Sequence, residues 1–245
     1  MLGSIYHTVL AASLLISFFS LFATKKEELS VHRLIVVILT WVLVFESFGL
    51  ITARQKINNS LLYNVSWVYI ESILIIAYFY LLEKSSRFKK RIIQISISIL
   101  VWGLVNSIFF QPITLALQYY SLLPFGVFII FLTIRLLKNI LNLQLYPDHN
   151  LLTIPHFWIS STLLFFYFEA LLLFGTYQLN PAFIVENVTV LFSFNKFTAG
   201  MMYLFLGVAF IFPHLDKNSI IRKTGLVFLL IIPKISFIFL FPLKF

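Results

Sequence analysis

The chain has 245 residues, of which 60% are hydrophobic and only 11% are charged. A soluble domain carries about 25% charged residues, so the composition excludes an ordinary soluble protein and indicates an integral membrane protein. There is no cysteine, which excludes disulfides, iron–sulfur clusters and thiolate zinc sites. The net charge of +9 reports orientation in a bilayer rather than affinity for nucleic acid.

The apolar runs of the chain predict the transmembrane helices. A span needs about 20 mostly apolar residues, and seven such runs cover 5–23, 31–53, 61–83, 91–110, 114–137, 155–177 and 187–212. The segment after the fifth run continues that helix into the cytoplasm as an amphipathic extension ending near Pro147. An eighth run at 224–243 either spans with a kink at Pro233 or dips into the membrane and returns. The sequence therefore predicts one all-α domain over residues 1–245, a polytopic membrane helix bundle with seven spans and an eighth C-terminal helix.

The basic residues report the orientation of the bundle. With the N-terminus on one side and the spans alternating, thirteen Lys and Arg residues fall on the opposite side, and three on the side of the N-terminus. The positive-inside rule then places the N-terminus outside and the basic loops in the cytoplasm. Lys25 and Lys26 follow the first apolar run, whereas a cleaved signal peptide carries its charge before that run, so the first helix stays. The basic loop EKSSRFKKR is chiefly an orientation signal, with contact to anionic lipids as a second role.

Charged residues inside the predicted spans are the strongest functional signal in the sequence. Each costs about 3 kcal/mol in lipid unless it is paired or hydrated, so an intramembrane charge predicts a functional role. Counting along the spans places four of them in the central or outer part of the bilayer: Glu46, Glu71, Glu169 and Lys196. A fifth, Lys234, falls within the eighth run.

Helical spacing places polar or small residues on the same faces as these charges. The stripes are Asn64, Glu71 and Tyr78 on the third helix, Thr162, Glu169 and Thr176 on the sixth, and Lys196, Gly200 and Gly207 on the seventh. The glycines would let a neighbouring helix approach closely. We predict a ligand or ion cavity that opens to the outside and is formed by Glu71, Glu169, Lys196, Glu46, Asn64 and Tyr78. Lys196 is the predicted partner of Glu169, with Lys234 or cavity water as the alternative; the competing interpretation is that buried ion pairs only fix helix register.

Other chemistries lack their sequence patterns. A microbial rhodopsin carries Asp four residues before its retinal lysine, and Phe192 stands at that position relative to Lys196. Four of the five histidines fall at predicted cytoplasmic span ends, which does not suit a haem held within the membrane: His32, His149, His156 and His214. With Asp148 and Asp216 they leave a metal-dependent membrane hydrolase as a minor alternative, but no HxxxH or HExxH spacing supports it. We therefore expect no enzymatic activity, catalytic residue, cofactor or metal.

Two blocks of the sequence resemble a family of uncharacterised bacterial seven-helix integral membrane proteins of similar length. LLYNVSWVYIESILIIAYFYLLEK is similar to that family's Tyr-Asn…Glu…Phe-Tyr third helix, and LLTIPHFWISSTLLFFYFEALLLFG to its Pro-x-Phe-Trp-Ile sixth helix. The matching positions are Tyr63, Asn64, Glu71, Phe79, Tyr80, Pro155, Phe157, Trp158 and Ile159. The resemblance covers roughly residues 60–210 and implies a seven-helix sensing module that hands a signal to a separate kinase or regulator. The C-terminal segment GLVFLLIIPKISFIFLFPLKF departs from that pattern.

The leading functional hypothesis is a non-enzymatic, multi-pass integral membrane protein that senses a ligand or a state of the membrane. Its expected partners are membrane lipids and a kinase, a regulator or another membrane subunit, and no nucleic acid. The alternative is a small transporter or channel subunit that uses the buried Glu and Lys residues as an ion or proton path. The abundance of Phe, Ile, Lys and Asn is typical of an AT-rich bacterial genome, so the expected location is the bacterial cytoplasmic membrane.

Overall fold

Seven long helices dominate the part of the chain that the structure, a computed structural model, describes: residues 2–142, 145 and 150–215. They are α1 (Leu2–Ser20), α2 (Leu29–Arg54), α3 (Ser60–Leu82), α4 (Ser86–Phe109), α5 (Tyr119–Leu141), α6 (Pro155–Leu179) and α7 (Val188–Val208). All seven are long and apolar enough to cross a membrane, α1 and α7 with the short 3-10 turns that extend them, and no strand occurs in the described ranges. The prediction of an all-α polytopic membrane helix bundle with seven spans is confirmed. The eighth run at 224–243 and the end of the fifth-helix extension near Pro147 lie outside the described residues.

Six helices form a ring, and α4 lies outside it. Around the ring, α1 contacts α2, α2 contacts α3, α3 contacts α5, α5 contacts α6, α6 contacts α7, and α7 returns to α1. α4 packs chiefly against α5 and α3. Because consecutive helices alternate in direction, the N-terminal ends of α1, α3, α5 and α7 meet the C-terminal ends of α2, α4 and α6. We call this the outer end of the bundle, since the charge bias predicts that it faces outside, and the opposite end the inner end.

Helices α1 and α7 approach each other closely at a glycine. A Cβ atom on Gly207 would lie 2.6 Å from the backbone oxygen of Ser13 and 2.7 Å from its Cα. At Gly200 a Cβ would be in ordinary contact with Tyr6, at 3.7 Å. The close helix approach expected along the glycine stripe therefore occurs at Gly207, where only a residue without a side chain fits.

Helix α3 changes its periodicity along its length. Its outer part contains a π-helical segment, Asn64–Glu71, and regular α-helix resumes at Ser72. The i→i+5 hydrogen bonds of a π-helix make each turn wider than 3.6 residues, so two residues seven positions apart no longer share a face. This turns Asn64 away from the direction of Glu71, and it divides the stripe that regular helical spacing predicts.

Candidate functional site

A cavity of about 430 Å³ opens among α1, α2, α3, α6 and α7 at the outer end of the bundle. Aromatic side chains form much of its wall: Phe45, Trp67, Phe166, Phe174 and Phe192. Two charged side chains, Glu46 and Lys196, also line it. A concave, mostly apolar site with a few polar groups is the usual form of a small-molecule site.

The carboxylate of Glu46 is held by two tyrosines. Tyr6 Oη donates a hydrogen bond to Glu46 Oε1 at 3.2 Å, and Tyr63 Oη donates to Glu46 Oε2 at 3.1 Å. Gly49, one turn further along α2, makes room for Tyr63, because a Cβ there would lie 2.5 Å from Tyr63 Oη. His7 Nε2 lies 3.3 Å from the backbone oxygen of Glu46. Tyr6 from α1 and Tyr63 from α3 therefore fix the Glu46 side chain at the cavity wall, and each carboxylate oxygen can still accept a further hydrogen bond.

Lys196 faces the same cavity from α7. Its side chain is exposed, and its ammonium lies within electrostatic range of Glu46. The described ranges contain a single ion pair within 4 Å, Arg135 with Glu83, so neither Glu46 nor Glu169 closes a salt bridge with Lys196. The cavity thus presents a cation and an anion that do not neutralise each other by direct contact.

Glu71 lies behind the cavity wall rather than in it. It is fully buried, and Tyr203 Oη donates a hydrogen bond of 2.7 Å to its Oε1. Tyr203 itself lines the cavity, and its ring lies 6.5 Å from the ring of Tyr6. A line of polar groups therefore leads from Glu46 through Tyr6 and Tyr203 to Glu71. The second oxygen of Glu71 is buried and accepts no hydrogen bond from the described residues.

Glu169 binds α7 through neutral partners instead of the predicted lysine. Asn195 Nδ2 donates to Glu169 Oε2 at 2.8 Å, and Thr198 Oγ1 donates to the same oxygen at 3.1 Å. Thr198 thus contacts Glu169 directly across the interface between α6 and α7. Lys196 instead lines the outer cavity, which Asn195 also lines. The predicted pairing of Glu169 with Lys196 is therefore wrong: among the described residues, Glu169 is connected to the cavity through Asn195. The alternative partner, Lys234, lies outside the described residues.

The structure separates Asn64 and Tyr78 from the outer cavity. Asn64 is fully buried, and its side chain binds backbone atoms of the loop between α4 and α5. Tyr78 is buried toward the inner end, where its Oη lies 2.8 Å from His156 Nδ1. The π-helical segment explains the displacement of Asn64, and seven further residues along α3 carry Tyr78 about 10 Å inward from Glu71.

Two buried histidines at the inner end contact the same aromatic ring. His32 stacks on Phe210 with ring centroids 4.0 Å apart, and His156 meets the same ring edge-on at 5.9 Å. Thr24 Oγ1 lies 2.6 Å from His32 Nδ1, and Ser17 Oγ lies 3.1 Å from His32 Nε2. No three His, Asp or Glu side chains of the described ranges come together as metal ligands. Among the described residues, these histidines contact hydroxyl groups and aromatic rings.

The residues that sequence reasoning missed are the aromatic hydroxyls. Tyr63 reads as an interfacial anchor near a span end, and Tyr6 carries no signal in its own helix. Tyr203 follows Lys196 by seven residues, so the spacing rule that defined the stripe on α7 also points to it. Tyr6 and Tyr63 could be predicted as site residues only if the neighbours of α2 were known, and a single sequence does not show which helices are neighbours.

The described residues define a helical membrane protein with seven candidate spans and a pocket at one end of the bundle. No family model, curated protein or solved structure matches the chain. The resemblance of the third and sixth helices to a bacterial seven-helix family therefore stays a prediction.

We expect Lys196 to couple energetically to Glu46 and not to Glu169. Lys196→Met and Glu46→Gln should show an interaction of about 0.5 kcal/mol or more in a double-mutant cycle, because the two charges face each other across the cavity. Lys196→Met and Glu169→Gln should be additive, because Asn195 and Thr198 already hold Glu169. Thermal unfolding of the wild type, the three single variants and the two double variants in detergent measures the interaction energies of both pairs. A larger interaction with Glu169 than with Glu46 would contradict the assignment.

Proposed function

We propose that the chain is a non-enzymatic sensory module of the bacterial cytoplasmic membrane that binds a small molecule in the outer cavity and signals through a partner protein. The observation that carries the proposal is the cavity itself, with an unneutralised Lys196 and Glu46 set in aromatic walls. Burial of a charge within a span is costly unless it has a use or a partner. A ligand with complementary charges would supply that partner.

The lining favours a small zwitterion with an apolar or aromatic side group. Lys196 suits a carboxylate of the ligand, and the free lone pairs of Glu46 suit its ammonium. The rings of Phe45, Trp67 and Phe174 offer apolar contact and, for the ammonium, a cation–π surface. A cavity of about 430 Å³ falls within the range of about 300–1,000 Å³ typical of small-molecule sites.

Two helices connect the cavity to the inner end, where a partner would bind. α7 carries Tyr203 in the cavity and continues into the short 3-10 turn that holds Phe210 in contact with both histidines. α3 carries Glu71 behind the cavity and Tyr78 beside His156. A ligand that moves Tyr203 would therefore act on both helices. The expected partner is a kinase, a regulator or another membrane subunit at the basic inner face.

A thermal-shift comparison of three related probes tests the ligand chemistry. The purified chain in detergent should be stabilised more by L-phenylalanine than by 2-phenylethylamine or 3-phenylpropionate, which each lack one of the two charges. At 100 times its Kd a ligand stabilises by about 2.7 kcal/mol, an easily measured shift. Lys196→Met should remove the advantage of the zwitterion over the amine, and Glu46→Gln its advantage over the acid. The control is Lys26→Met, at an exposed cation in the loop between α1 and α2. Equal shifts with all three probes would exclude this ligand class.

The polar line from Glu46 to Glu71 favours a second candidate, a transporter or channel subunit with a proton path. Tyr6 and Tyr203 lie between the two carboxyl groups, and one oxygen of Glu71 has no hydrogen bond from the described residues. A proton path predicts acidification of pyranine-loaded vesicles that contain the protein, and loss of that signal in Glu71→Gln. A sensor predicts ligand-dependent stabilisation without proton flux, so the two measurements separate the candidates.

A further inference from the structure

A second cavity, of about 260 Å³, lies at the inner end of the bundle, where α3 ends, α4 begins and α5 passes beside them. Its walls are mainly apolar side chains from the three helices, among them Phe79, Phe88, Ile92 and Leu132. Its rim is polar and includes Lys84 and Arg135. The cavity therefore joins an apolar interior to a cationic edge at the ends of transmembrane helices, the level at which lipid headgroups lie.

Arg135 is held in position with part of its hydrogen-bonding capacity unused. Its Nε donates to Glu83 Oε2 at 3.1 Å, and its guanidinium carbon lies 3.9 Å from the centre of the Phe88 ring. The carboxylate and the ring together fix the guanidinium, whose terminal nitrogens make no ion pair with the described residues. A positioned guanidinium with free donors is the group that binds phosphate most specifically.

The rim of this cavity carries more positive than negative charge. Lys84 is exposed and forms no ion pair among the described residues, so one carboxylate, Glu83, faces two cations. The first two turns of α4 carry four more cations at the same end of the bundle: Arg87, Lys89, Lys90 and Arg91. Charge complementarity thus favours an anion, and the apolar walls favour an anion that carries a hydrocarbon chain.

We propose that this inner cavity binds an anionic phospholipid, with its phosphate between Lys84 and Arg135 and the start of an acyl chain against Phe79, Ile92 and Leu132. Basic pockets between transmembrane helices on the cytoplasmic side bind such headgroups. The site is independent of the outer cavity. It places one lipid at the junction of α3 and α5, where it would stabilise the contact that α4 makes from outside the ring.

Binding of defined lipids to the purified full chain tests this proposal by native mass spectrometry and by thermal shift. Phosphatidylglycerol should bind and raise the unfolding temperature, whereas phosphatidylcholine of the same chain length and inorganic phosphate should not. Lys84→Gln should weaken phosphatidylglycerol binding about fivefold, as loss of about 1 kcal/mol per surface cation implies. Arg135→Lys, which keeps the charge but loses the fork of donors, should weaken it as well.

The control is Lys26→Gln, an exposed cation in the loop between α1 and α2, which should bind phosphatidylglycerol as the wild type does. Equal binding of the two lipids would overturn the proposal, because the cationic rim would then play no part. Equal losses in Lys84→Gln and Lys26→Gln would overturn it in favour of diffuse surface attraction. A shift produced by inorganic phosphate alone would assign the rim to a soluble anion.

Discussion

Replacement of Asn64 by alanine is expected to lower the free energy of unfolding by about 3 kcal/mol or more. Asn64 Nδ2 donates to the backbone oxygens of Ile113 and Ala116 at 2.7 and 2.8 Å, and its Oδ1 accepts from the backbone N–H of Gln118 at 2.9 Å. One fully buried side chain thus satisfies three backbone groups of the loop that precedes α5. Each group left unsatisfied costs about 1–3 kcal/mol.

The matched control is Asn58→Ala, which removes a contact to the same loop from an exposed position. Asn58 Nδ2 donates to the backbone oxygen of Thr114 at 3.1 Å, where water can replace it. Its loss should cost less than about 1 kcal/mol. Thermal unfolding in detergent compares the two variants, and similar losses would mean that Asn64 does not hold the loop. The same contacts explain why α5 begins at Tyr119 rather than at the predicted residue 114.

Tyr203→Phe is the second substitution with a large expected effect. Its hydroxyl supplies the one hydrogen bond that the described residues give to the Glu71 carboxyl, at 2.7 Å in a fully buried position. Removal of this hydrogen bond leaves a buried carboxyl group without a partner, and an unsatisfied buried polar group costs about 1–3 kcal/mol. We expect a loss of about 2 kcal/mol or more in unfolding free energy.

The double variant Tyr203→Phe with Glu71→Leu tests the reason for that loss. Replacement of both partners by apolar groups of similar shape is nearly neutral, because no unsatisfied polar group remains. The double variant should therefore be more stable than the sum of the two single losses predicts. Tyr120→Phe, at an exposed tyrosine, should be neutral. Strictly additive losses would show that the Tyr203 hydroxyl does not stabilise the bundle through Glu71.

The two cavities lie at opposite ends of the bundle, and each has its own charged side chains. Glu46 and Lys196 face the outer end, whereas Lys84 and Arg135 face the inner end. Between them, Glu71 and Tyr203 form a fully buried contact between a carboxyl group and a hydroxyl group. A small molecule at one end and a lipid at the other would therefore act on the same helix, α3, from opposite directions.

The sequence alone determined the class of the protein and its seven spans. The length and hydrophobicity of a span are local properties, because a helix in lipid must satisfy its own backbone hydrogen bonds whatever its neighbours are. The cost of a charge in lipid is also a local property, and for that reason Glu46 and Lys196 could be identified as candidate site residues before their surroundings were known.

Only the tertiary structure decided which side chains meet. Periodicity shows which residues share a face of one helix, but not which helix that face contacts or at what height. Tyr6 and Tyr63 reach Glu46 because α1 and α3 both lie beside the outer half of α2, and Glu169 meets Asn195 because of the register between α6 and α7. The π-helical segment is a further example, since it rotated Asn64 away from the predicted stripe through backbone hydrogen bonding that the side-chain pattern does not reveal.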